Sequence, residues 1–204
     1  TPTVVVFINS GGLAAEWVYS NVPAIFEAYY PGELGGDAIA SLLLGDVSPS
    51  GRLTTTIYPA NFVNKRNITD MAMRSHDGVP GITYRFMDPS DAIYPFGYGM
   101  QYTHFDFTWA KPGSIRVTTH DICDSSANAF PTVFVAAQNA GPIVSDVSVL
   151  CFVDSTERDS RPNTQLAGFS RASRVKAGEE VTLVVQLLPN AFRSSDKNGS
   201  VFAV

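Results

Sequence analysis

Basic residues are few and scattered in this sequence: 14 Lys and Arg stand against 19 Asp and Glu, a formal net charge of -5. No run of Lys and Arg is present that would track phosphates, so nucleic acid is not an expected partner. Long apolar runs are missing as well. None approaches the roughly 20 residues that a membrane span requires, and no membrane partner is expected. Charged residues make up only 16% of the chain, below the roughly 25% usual for soluble domains. With 45% hydrophobic residues, that shortage predicts that part of the surface is buried against something else. The chain opens on TPTVVVFINS, a strand pattern, and no signal peptide is expected within it.

Several chemical signatures are also missing. There is no G-x-G-x-x-G and no Walker loop. His76, His104 and His120 lie in unrelated segments, with no metal-type spacing to each other or to the cysteines. No cofactor and no metal are therefore expected. Ser10 precedes two glycines but lacks the G-x-S-x-G frame of a nucleophile elbow. The two cysteines, Cys123 and Cys151, allow one bridge or none. Cys151 falls in phase with Val147, Val149 and Val153, which favours an inward free thiol over a bridge to Cys123.

What is present in abundance is aromatic. Tyr84 to Phe105 holds Tyr84, Phe86, Tyr94, Phe96, Tyr98, Tyr102, Phe105 and the imidazole of His104, interrupted by Pro89, Pro95, Gly97 and Gly99. Neither a regular helix nor a long strand runs through such a stretch. An ordinary surface loop would leave a large apolar patch in water, which soluble monomers seldom do. The stretch separates alternating strand and helix patterns from a purely strand-like remainder. The expected division is residues 1–91 as an α/β portion built on a parallel sheet, 92–112 as an aromatic inter-domain joint, and 113–204 as a β-sandwich of immunoglobulin or fibronectin type.

Thr3 to Ile8 reads as a strand buried on both faces. A short helix is expected from about Leu13 to Tyr19 and a second strand at Ala24 to Tyr29. Gly35 to Leu44 reads as a helix with Ala38, Ile39, Leu42 and Leu43 on one face, Gly45 as its C-terminal cap, and Glu33 and Asp37 at its positive end. Arg52 to Tyr58 alternates like a third strand. The β-α-β-α-β succession implies a right-handed parallel sheet, and three strands make a poor sheet on their own, so further strands are expected on the N-terminal side. Pro59 to Asp91 is long and irregular, as functional or wrapping loops are. Later strands are expected at 105–109, 114–119, 132–138, 147–153, 165–170 and 181–187, with NGSVFAV starting another. The fold is expected to be incomplete at both ends.

Ligands in open α/β sheets sit at the carboxyl ends of the strands. Here those ends are Ser10-Gly11-Gly12 and the turn from Tyr30 to Glu33, so Ser10, Gly11, Gly12, Tyr30 and Glu33 are the cleft candidates. The plainer reading is that the glycines permit tight turns and close helix–sheet packing. Two N-glycosylation sequons, Asn67-Ile-Thr and Asn198-Gly-Ser, point modestly to the secretory route.

The segments YYPGELGGDAIASLLLGDVSPSGRL, TDMAMRSHDGVPGITYRF and YPFGYGMQYTHF together resemble the C-terminal half of family-three glycoside hydrolases. TDMAMR followed by PGITYRF resembles the β-xylosidase and α-L-arabinofuranosidase branch, whereas Y-P-G-x-x-G-G, P-S-G-R-L and Y-P-F-G-Y-G-M are shared with β-glucosidases. GPIVSDVSVLCFV, QLAGFSR and VKAGEEVTLVVQL resemble the fibronectin type III-like domain that ends these enzymes. The resemblance implies a secreted, extracellular or vacuolar-lysosomal retaining exo-glycosidase of three parts: an N-terminal (β/α)-barrel as partner of this portion, an α/β sandwich of which residues 1–91 are the last part, and the fibronectin-like domain. An oligosaccharide is the implied substrate. The resemblance also implies that both catalytic carboxylates lie upstream, so no catalytic residue is carried over to this chain. Thr54 stands where the family usually has Pro, and Leu13-Ala-Ala replaces a Pro-containing sequence at the cleft edge. A rival reading keeps the fold but makes the chain a non-catalytic carbohydrate- or protein-binding module.

Overall fold

The computed structural model describes residues 1–111, 131–154, 164–195 and 201–203. The expected strand at 114–119, together with Cys123 and Asn198, lies outside the described residues. The chain divides into two compact units, Thr1–Val47 with Gly51–Met100, and Ser48–Ser50 with Gln101–Val204. The division falls within the aromatic stretch, between Met100 and Gln101.

In the first unit, β1 (Val4–Phe7) pairs in parallel with β2 (Ala24–Glu27), Val4 opposite Ala24 and Phe7 opposite Glu27. The crossover is α1 (Glu16–Asn21), which begins later than the pattern of Leu13 to Tyr19 predicts. After β2 comes α2 (Gly35–Leu44), with the bounds expected from sequence. Gly45 takes φ 81°, and its N–H donates to the Leu42 and Ser41 carbonyls. A side-chain-free residue suits that left-handed cap.

Two expectations for this unit need correction. Arg52 to Tyr58 is not a third parallel strand. Its backbone bonds instead run to the aromatic stretch: Leu53 N–H to Tyr98 O at 2.8 Å, Gly97 N–H to Leu53 O at 2.8 Å, and Ile57 N–H to Tyr94 O at 2.9 Å. Pro95 has no N–H to give, so only an isolated antiparallel bridge, Ile57 opposite Tyr94, survives. Second, β1 is not buried on both faces, since Val4 is exposed and Val5 to Phe7 are only half-buried. On the apolar face of α2, Ile39 and Leu42 are half-buried while Ala38 and Leu43 lie in the open. The irregular region 59–91 contains two single-turn helices, α3 (Phe62–Lys65) and α4 (Thr83–Phe86), and a 3-10 turn over Pro89–Asp91.

Aromatic rings knit this unit together. Tyr84 stacks on Phe96 at 4.4 Å between centroids and Tyr94 on Tyr98 at 4.8 Å, while Tyr19 meets Tyr94 edge-on at 5.2 Å. Each such pair adds about 0.5–1.5 kcal/mol beyond its area burial.

Among the described residues, every strand pair of the second unit is antiparallel. One sheet has the order β3 (Phe105–Trp109), β4 (Thr132–Asn139), β7 (Glu180–Gln186), and the other pairs β5 (Ser145–Asp154) with β6 (Thr164–Val175). A last pair joins β8 (Arg193–Ser195) to β9 (Val201–Ala203). Phe105, Val135, Ala137, Val147, Val175 and Leu183 form one core drawn from both larger sheets. Gly168 permits their close approach, because a Cβ there would stand 2.5 Å from the Gln186 carbonyl.

Asn139, with no exposed surface, ties this unit's segments together. Its Nδ2 donates to the Ile143 carbonyl at 2.8 Å and the Val175 carbonyl at 3.0 Å; its Oδ1 accepts from the Thr103 hydroxyl at 2.6 Å and the Gly141 amide at 3.2 Å. All four hydrogen-bonding positions of the carboxamide are filled. Partial burial opposes ionisation of Asp146, but the Arg174 amide, the Arg171 guanidinium and Ser173 outweigh it and hold the carboxyl below its ordinary range. Replacing Asn139 by Ala takes the hydrogen-bond partner from two carbonyls, a hydroxyl and an amide, one of the carbonyls at a buried bond, and is expected to cost about 2–4 kcal/mol. Chemical denaturation of the wild type and the variant checks this.

Candidate functional site

The carboxyl edge of the β1–β2 pair lies within the first unit. The Ala28 amide donates to the Phe7 carbonyl at 2.9 Å, and both strands then turn away. The first turn is held by Asn9, whose Nδ2 donates to the Gly11 carbonyl. Gly12 then passes the side chain of Ile57 so closely that a Cβ would stand 2.4 Å from its Cδ1. The second turn runs through Tyr29 at φ 51°, a left-handed position uncommon for a bulky side chain. Its phenol oxygen accepts from the Thr54 amide at 3.4 Å.

Of the cleft candidates, Ser10, Gly12, Tyr30 and Glu33 are exposed and Gly11 is half-buried. The sheet brings Ser10-Gly11-Gly12 and the Tyr30 to Glu33 turn to the same edge. Among the described residues, Ser10, Tyr30 and Glu33 carry no side-chain hydrogen bond, so the edge presents them unengaged.

The groups with marked electrostatics at this edge are ones that sequence reasoning passed over. Glu27 shares its face with Phe7, whose ring meets Tyr19 edge-on at 6.1 Å. Burial raises the Glu27 carboxyl above its ordinary value, against the pull of a hydrogen bond from Asn9. Burial, followed by the charge of Glu27, pushes the Tyr19 phenol up to about 12. The signal in the sequence was a single acidic residue inside the apolar run Ala24-Ile25-Phe26-Glu27-Ala28. On α1, the Ala60 amide donates to Glu16 and lowers its pKa.

The end of α3 and the loop that follows it border an open hollow of about 610 Å³, lined by Lys65, Ser75, His76, Asp77, Gly78, Val79 and Pro80. Arg66 organises the loop. Its guanidinium donates to the carbonyls of Pro80 at 2.7 Å, Asp70 at 3.2 Å and Ala72, and pairs with the Asp70 carboxylate at 3.3 Å. The Ala72 amide lowers the pKa of Asp70; burial works against that, and Arg66 and His76 add to the lowering. Thr83, at φ 62°, follows the loop and donates its amide to the Tyr58 phenol at 2.6 Å.

Asn67 is exposed, and its Oδ1 accepts from the Thr69 amide at 3.0 Å and the Thr69 hydroxyl at 2.9 Å. Cys151 is a half-buried free thiol packed against both cores of the second unit, and burial raises its pKa. Among the described residues no three His, Cys, Asp or Glu gather as a metal site, and no helix is long and apolar enough to cross a membrane.

With that geometry in place, the chain can be set beside known proteins. It belongs to glycosyl hydrolase family 3, whose C-terminal domain matches residues 1–102. It is similar to the probable exo-1,4-β-xylosidase bxlB of Aspergillus fumigatus, 33% identical over 98% of this chain and 27% of that protein. The probable exo-1,4-β-xylosidase xlnD of Neosartorya fischeri is 32% identical over the same shares. The chain thus spans about a quarter of the length of these relatives.

Among solved structures, a GH3 exo-β-xylosidase (XlnD) in complex with a xylobiose aziridine activity-based probe superposes with a TM-score of 0.83 at 27% identity, over 98% of this chain and 27% of that one. A β-glucosidase from Erythrobacter marinus gives 0.72 at 32%, over 99% of this chain and 25% of that one.

Replacing Arg66 by Ala leaves three carbonyls without their donor and is expected to destabilise the protein by about 2–3 kcal/mol. Limited proteolysis should then cut first between residues 66 and 82.

Proposed function

We propose that this chain is the C-terminal part of a secreted retaining exo-glycosidase that releases terminal β-xylosyl residues from plant-type oligosaccharides. Arabinosyl and glucosyl ends are the next substrates to test. The nucleophile and the acid/base carboxylate stand on the rest of that enzyme, about 5–5.5 Å apart as a retaining mechanism requires. This portion braces a (β/α)-barrel and supplies one wall of the cleft through Ser10-Gly11-Gly12, Tyr30 and Glu33. The antiparallel second unit is its fibronectin type III-like domain, a reading supported by the shared core of its two larger sheets.

The observation that carries the proposal is the uncovered apolar surface of the first unit. Only Ile57 and Met87 are fully buried large apolar side chains there, whereas Trp17 is 72% exposed, Tyr30 73% and Leu44 78%. Soluble proteins reserve such surface for partners. A parallel strand pair also ordinarily lies covered on both faces. A covering partner accounts for both features, and it favours the enzyme over a free-standing binding module.

Secretion is supported by the exposed sequon at Asn67, whose Nδ2 is left for a glycan while Oδ1 is held by Thr69.

Two measurements test this reading. The whole protein should hydrolyse an aryl β-xyloside and the 204-residue chain alone should not; hydrolysis by the isolated chain would mean that the carboxylates have been misplaced. Intact mass of the secreted protein should fall on enzymatic deglycosylation, and Asn67→Gln should remove one glycan's worth of that fall; an unchanged mass would remove the support for secretion.

A further inference from the structure

Two oxygens at the carboxyl edge of the parallel pair are buried with no hydrogen-bond partner, Asn9 Oδ1 and Glu27 Oε1. They belong to side chains at neighbouring strand ends: Glu27 stands opposite Phe7, Asn9 follows two residues on, and the Asn9 carboxamide acts on the Glu27 carboxyl. A buried acceptor left without a donor costs about 1–3 kcal/mol. Two on one contacting pair call for a shared explanation.

We propose that Asn9 and Glu27 share one proton as a carboxyl–carboxamide pair, which fixes the Ser10-Gly11-Gly12 turn. With Glu27 protonated, its O–H donates to Asn9 Oδ1 while Asn9 Nδ2 donates to the carboxyl carbonyl oxygen. One proton, taken from solvent, thus supplies the donor that both oxygens lack. The second Nδ2 hydrogen stays on the Gly11 carbonyl. Glu27 is a positioning residue here: it acts on the turn through Asn9.

The surroundings favour the neutral form. The titratable group coupled to Glu27 is Tyr19, which in turn feels Tyr94, Glu16 and Tyr29. Among the described residues no cation acts on the Glu27 carboxyl, so none compensates its charge where it is half-buried. Burial likewise raises the carboxyl's affinity for its proton. A folded pKa above the unfolded one fixes the sign. The stabilisation is complete below the unfolded value and is lost as pH rises through the folded value.

Glu27→Gln reproduces the protonated pair at every pH, because its amide N–H donates to Asn9 Oδ1 as the carboxyl O–H does. The test is thermal melting of the intact protein and the variant across pH 4 to 8. The two should melt together at the acid end, and the variant should melt progressively higher as pH rises above the ordinary carboxylate range. A constant difference at all pH values, or a variant that falls behind as pH rises, overturns the proposal.

Infrared titration of the wild-type protein, with glutamate isotopically labelled, gives a second reading if the variant does not fold. One protonated glutamate carboxyl should persist above the ordinary carboxylate range, and full ionisation within that range refutes the pair. Both readouts are independent of sugar hydrolysis, so they stand or fall separately from the glycosidase reading.

Discussion

Two parallel strands cannot cover themselves, and that constraint governs the first unit. Val4–Phe7 and Ala24–Glu27 form a ladder of four residue pairs, and α1 and α2 turn much of their apolar surface outward. What the unit gains internally comes from elsewhere. Backbone bonds join residues 53–57 to 93–98, and stacked and edge-on rings run from Phe7 through Tyr19 and Tyr94 to Tyr98. Those contacts hold the carboxyl edge in place. The aromatic stretch is therefore the element on which the turns at that edge rest: Gly12 leans on Ile57, and Ile57 is bridged to Tyr94.

The second unit solves its own packing differently. Side chains from both larger sheets meet in its core, and Asn139 supplies a fully satisfied polar centre where β4, the following turn and the end of β6 converge. A buried carboxamide with four partners specifies one arrangement of those segments, since any slip would leave several groups unpaired. Cys151 fits this picture as a small half-buried apolar group in contact with both cores of that unit.

Much of this was legible in the sequence, and the failures have physical causes. Periodicity located α2, β3 and the turns around residues 139–142 and 176–179, because cap glycines and alternating apolar residues act locally. Arg52 to Tyr58 misled because alternation says that a segment is extended and not which segment it pairs with. The expectation that β1 would be buried on both faces read a β-branched run correctly as a parallel strand. Its cover, however, is not supplied by the described residues. At the candidate site, the glycines and Tyr30 were visible as turn residues, whereas Glu27 and Asn9 were not singled out. Their importance arises from a contact between the ends of two strands, which no local pattern announces.

If the exposed apolar surface of the first unit is covered by another part of a larger enzyme, the strand pair should be far better protected in the whole protein than in this chain alone. Hydrogen exchange measures that directly at the amides of Val4–Phe7 and Ala24–Glu27. The account predicts slow exchange there in the intact enzyme and fast exchange in the isolated chain, with Asn139 and its neighbours protected in both. Equal protection of the two strands in the isolated chain and the whole protein would contradict it.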